Sequence, residues 1–76
     1  MNEEIKTLYK FIQDKNGFKD RLSEKLSITK DAVEHNIAKN GHFKEKHLEI
    51  VLHWIKEQIQ IDKEINEMIV ARWVVL

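Results

Sequence analysis

The chain has 76 residues, with 13 basic and 13 acidic side chains and neither cysteine nor proline. That length holds one domain, residues 1–76, near the lower limit for a self-sufficient core. The missing thiols exclude disulfide staples and thiolate metal sites, and zero net charge opposes phosphate-driven binding unless the charges are segregated in space.

The opening residues, MNEEIKTLYK, are acidic and amphipathic, and no long uncharged apolar run follows. A signal peptide and a membrane span are therefore not expected, and a cytoplasmic location is. Ile5, Leu8, Tyr9 and Ile12 recur at helical spacing, which predicts a helix over about 2–14. Gly17 and Gly41 each follow asparagine between helical periods, so both Asn-Gly pairs read as helix C-caps. Phe18, Leu22 and Leu26, four apart, predict a short two-turn helix. Thr29 is a good N-cap for a helix over about 30–39, with Ala32, Val33 and Ile37 inward. Phe43, Leu48, Val51, Leu52, Ile55 and Ile59 form a strong stripe, which Ile50, Trp54 and Ile61 widen. Past Asp62, the residues Ile65, Met68, Ile69 and Trp73 keep helical spacing. The β-branched end, MIVARWVVL, reads as helix, with a strand as the alternative.

From Lys19 the sequence runs KDRLSEKLSITKDAVEHNIAKNG. These 23 residues resemble the helix-turn-helix of the lambda-repressor-like family, which includes phage Cro proteins and small bacterial repressors. Leu22 and Leu26 match inward positions of its first helix, and Ser23 the small residue where the second helix crosses. Ile28 matches the turn's apolar slot, Thr29 the cap, and Ala32, Val33 and Ile37 the anchors. Ser27 departs from the family's usual glycine; a left-handed backbone there costs a non-glycine residue roughly 1 kcal/mol. An ordinary helical hairpin is the alternative reading of the same stretch.

The resemblance implies an all-α, five-helix domain with its motif at about 19–41, whose second helix enters the major groove N-terminal end first. It implies base contacts from Thr29, Lys30, Asp31, Glu34 and His35: a lysine donates to guanine, a carboxylate accepts from cytosine N4, a histidine donates to an acceptor. It implies phosphate contacts from Lys19, Lys39, His42, Lys44 and Lys46. Ala38 also faces outward. Lys15 joins this basic group, while Glu57, Asp62, Glu64 and Glu67 lie distal. Only Arg21 and Arg72 are arginines, so guanine readout falls mostly to other side chains.

Other chemistry finds little footing. His42, His47 and His53 are spaced five and six apart, which does not put them on one helix face. Glu49, His53 and Glu57 allow at most an exposed two-ligand site, short of the four that structural zinc needs. No nucleophile elbow, phosphate loop or zinc-protease motif occurs, so neither enzyme activity nor a cofactor is expected. The C-terminal third, 44–76, carries more apolar surface than one small core absorbs. Trp54, Ile61, Ile69 and Trp73 are its candidate homodimer interface, and pairing would set two reading helices about 34 Å apart. The expected function is a small, dimeric, sequence-specific transcriptional regulator, a repressor of phage or mobile-element type, acting on double-stranded operator DNA. The alternative is a module of the same fold that binds a protein instead: an antirepressor, an antitoxin or a host-factor inhibitor.

Overall fold

The computed structural model describes the backbone of residues 1–75 and the side chains of residues 1–69. The elements are α1 (Asn2–Tyr9), α2 (Lys15–Leu26), α3 (Lys30–Ala38) and α4 (Glu45–Val75). The helices number four among the described residues, not five. Nothing between Glu45 and Val75 interrupts a helix, since glycine and proline are both absent there, so the expected last two helices are one. No strand occurs among the described residues, and the strand alternative for the tail is not adopted up to Val75.

The expected apolar faces converge on one core. Ile5, Tyr9 and Ile12 meet Phe18, Leu22 and Leu26 of α2, Val33 and Ile37 of α3, and Phe43, Val51 and Ile55 from the last third. Leu8, Ile28, Leu48, Leu52 and Ile59 pack against them, partly buried. Ala32 is half-buried beside its inward neighbours.

Two boundaries differ from expectation. The first helix ends at Tyr9, and its continuation to Ile12 is a tighter turn in which Phe11 and Ile12 donate to the carbonyls of Leu8 and Tyr9, at 3.0 and 3.1 Å. Lys15 Nζ then satisfies the Ile12 carbonyl at 2.8 Å. Asn16-Gly17 is not a C-cap. Asp14 starts α2 three residues earlier, accepting from the Gly17 amide at 3.0 Å, so Gly17 lies inside the first turn and α2 has twelve residues.

Asn40-Gly41 does follow α3, but no glycine has positive φ. Gly41 serves close approach: its amide donates to the His35 carbonyl at 3.0 Å, and a Cβ there would lie 2.9 Å from that oxygen and press on the His35 and Asn36 side chains. The turn into α4 is held from α1. Lys6 Nζ donates to the carbonyls of Lys39 and Gly41 at 2.7 and 2.8 Å, and Asn2 Oδ1 accepts from the Phe43 amide at 2.9 Å.

The 31 residues of α4, at a rise of about 1.5 Å each, account for the 47 Å long axis of a molecule only 20 by 18 Å across. Burial along α4 ends at Ile55, and residues 63–69 are all exposed. Beyond Ile59, the turn after α1 reaches α4 through the Gln13 amide, which donates to Asp62 Oδ2 at 3.5 Å.

Candidate functional site

The junction of α2 and α3 is built around one unusual backbone. Ser27 sits at φ 55°, ψ 41°, the left-handed conformation that ends α2, and its amide donates to the Glu24 carbonyl at 3.3 Å. The next amide, Ile28, donates to the Ser23 carbonyl at 3.2 Å, and the Ile28 side chain turns in against the core. Thr29 is extended, at φ −72°, ψ 155°, and its Oγ1 accepts from the Ala32 amide at 3.1 Å, capping α3. Ser23 Oγ donates to the Asp20 carbonyl at 2.7 Å, which keeps the hydroxyl satisfied on a half-buried small residue. Because Ser27 carries the positive φ alone among non-glycine residues described, Ser27→Gly is expected to raise stability by up to about 1 kcal/mol. Chemical denaturation checks this, and a lowered midpoint would mean the serine side chain contributes more than its backbone strain costs.

Three of the expected outward residues, Lys19, Glu34 and Lys30, are paired inside the motif. Lys19 Nζ pairs with the Glu34 carboxylate, bridging α2 to α3, with the lysine side chain only 12% exposed. The hydrogen bond to Glu34 holds the Lys19 ammonium above its ordinary pKa, and the same bond holds the Glu34 carboxyl below its own. Tyr9 lies beside this pair, its phenol pushed up by burial. Lys30 Nζ reaches Asp20 at 3.1 Å, an exposed pair of the kind that adds little stability. Thr29, Asp31, His35 and Ala38 are exposed along α3.

The turn after α3 is different. Lys39, His42, Lys44 and Lys46 are all exposed, and none of their side chains has a hydrogen-bond or ion-pair partner among the described residues. The Lys6 clamp on the Lys39 and Gly41 carbonyls fixes the backbone carrying them. Residues 15–46 hold eight basic and five acidic side chains, and the rest of the chain holds the reverse. The motif itself, 19–41, holds five basic and four acidic side chains, so most of this positive excess comes from its flanks, Lys15, Lys44 and Lys46.

Away from the motif, His53 Nε2 meets Glu57 at 3.3 Å, and no group of three or more potential metal ligands occurs among the described residues. An open groove of about 610 Å³ runs between exposed Phe11 and α4, along Ile59, Asp62 and Asn66. Of the candidate dimer residues, Ile61 and Ile69 are exposed on distal α4. Trp54 is half-buried under Lys25, whose Nζ lies 3.8 Å from the indole centroid. The Trp73 side chain lies outside the described residues. Among the described residues, no helix is long and apolar enough to cross a membrane.

Several participants escaped the sequence reading. Asp20, which takes Lys30, is one; Asn2 and Lys6, which clamp the turn from more than thirty residues away, are others. Helical periodicity marks only which face is apolar, so it carries no signal for such contacts. Comparison with family models, curated protein sequences and solved structures returns no match.

Proposed function

We propose that this chain is a small DNA-binding transcriptional regulator that acts as a homodimer, with α2 and α3 as its helix-turn-helix and a repressor of phage or mobile-element type as its closest functional description. The observation that carries this reading is the left-handed Ser27 between α2 and α3. A residue outside the glycine class accepts that strain, and the same turn aligns the Ile28 plug and the Thr29 cap as the lambda-repressor-like resemblance requires. The exposed Lys39, Lys44 and Lys46, which no described side chain pairs with, support it as well.

In this reading α3 presents Thr29, Lys30, Asp31 and His35 to base edges, with Lys30 exchanging Asp20 for guanine. Lys39, His42, Lys44 and Lys46 lie along the phosphates. Glu34 and Lys19 hold α3 against α2 and set its angle, so Lys19 serves as a strut and not as a phosphate contact. Alanine at Lys30, Asp31 or His35 is expected to alter sequence preference by roughly 1–3 kcal/mol per good contact, read by selection from a randomised duplex pool. Three variants that select the same sequences as the parent would overturn the assignment of α3 as the reading helix.

A second reading is favoured by the two ion pairs themselves. Lys19–Glu34 and Lys30–Asp20 leave alternating sign along α2 and α3 in place of a continuous positive surface. An alternating surface suits a protein partner, as in an antirepressor, antitoxin or host-factor inhibitor. Failure to retain any duplex at low salt would select this second reading.

A further inference from the structure

Seven large apolar side chains are exposed among the described residues, and five of them, Ile50, Ile61, Ile65, Met68 and Ile69, lie on α4. They are not scattered. Trp54, Gln58, Ile61, Ile65 and Met68 follow one another at intervals of four, three, four and three residues, the a/d spacing of a paired helix. This stripe is turned aside from the core, which α4 meets through Val51 and Ile55.

The two halves of the stripe have different surroundings. At the proximal half, α2 runs alongside and supplies a basic rim. Arg21 Nη2 donates to Gln58 Oε1 at 3.2 Å, Lys25 covers Trp54, and between them lies a groove of about 170 Å³ floored by Phe18 and Leu22. At the distal half only the turn after α1 comes near, the Gln13 amide donating to Asp62 Oδ2 at 3.5 Å, and residues 60–69 carry Asp62, Glu64 and Glu67 against Lys63 alone. Among the described residues, the surface is basic at one end and acidic at the other.

We infer that a second copy of this chain covers the stripe, lying antiparallel so that the distal α4 of each protomer seats in the groove between α2 and α4 of its partner. A two-fold axis near Ile61 sets each Arg21–Lys25 rim toward the other protomer's acidic half. A parallel pair would bring acidic half to acidic half instead. The contact is isologous, as a closed dimer requires. It also gives the distal α4 a support that a free helix of about 12–15 residues lacks in water. This arrangement specifies the homodimer of the proposed function but does not need DNA, so it can fail while DNA binding stands, and the reverse.

The full chain tests it directly, because the absence of cysteine lets single cysteines report on geometry. Ile61→Cys, next to the axis, is expected to form a disulfide-linked dimer under mild oxidation. Met68→Cys is not, because its two copies would stand about 21 Å apart along the helices, beyond the Cα separation of about 7 Å that a disulfide spans. Sedimentation of the unmodified chain is expected to show a dimer. Arg21→Glu combined with Lys25→Glu is expected to raise its dissociation constant by about tenfold or more at low salt. Self-linking of Met68→Cys would overturn the antiparallel arrangement. An unchanged dissociation constant in the double variant would overturn the charge pairing. A clean monomer at several hundred micromolar would overturn the dimer and leave the stripe to a different protein.

Discussion

Ile37→Ala is expected to destabilise the fold by about 2–5 kcal/mol, through the lost transfer energy of the side chain and the cavity it leaves. Ile37 is 1% exposed and fastens α3 between α1 and α2. A domain of this size has a total stability on the order of 4–11 kcal/mol, so this one substitution removes much of the margin. His35→Ala, two residues earlier on the exposed side, is the control and should stay within about 0.5 kcal/mol. Urea unfolding at fixed protein concentration measures both. Near-equal effects would mean that α3 is not anchored through Ile37.

The second large effect is expected on DNA binding. Replacing Lys39, Lys44 and Lys46 together with alanine removes three cations that no described side chain pairs with, two on a turn whose backbone Lys6 and Asn2 hold in place and one in the first turn of α4. Each phosphate contact contributes about 0.9 to the slope of log affinity against log salt. The triple variant should therefore lose nearly all duplex affinity at moderate salt and flatten the slope by roughly 3. Lys19→Ala should act otherwise. With Lys19 turned inward to Glu34, its removal leaves that carboxylate unpaired beside the proposed base-contacting residues and loosens the α2–α3 angle, so specificity is expected to suffer more than the salt slope. Fluorescence anisotropy across a salt series separates the two patterns.

Which parts of this molecule can be read from its sequence follows from the range of the forces involved. The inward positions of α1, α2 and α3 repeat every three or four residues, and those positions form the core. The Thr29 cap was legible because it is local chemistry, a hydroxyl within reach of the next amides, whereas the left-handed Ser27 was expected only from the glycine usual at that position of the family the stretch resembles. Asn16-Gly17 misled because Asp14, two residues before it, is the stronger signal and starts a helix across the pair. The division of the last third into two helices misled because Asp62 is a polar position without being a helix breaker. Lys19–Glu34, Lys30–Asp20 and the Lys6 clamp join residues 10 to 35 apart, and only the crossing of helices brings them together. The same holds for the α2–α4 groove, where Arg21 and Lys25 reach α4 through packing that periodicity does not encode.

Whether the α2–turn–α3 unit engages double-stranded DNA is read from the affinity of the intact protein for a random-sequence duplex between about 50 and 200 mM salt. With Lys39, Lys44 and Lys46 offered to phosphate and Lys30 to a base edge, the protein should bind at the lower concentration. Log affinity should then fall linearly with log salt, at a slope of roughly −3. No retention of duplex at 50 mM salt, or an affinity indifferent to salt across that range, would overturn DNA binding by this chain.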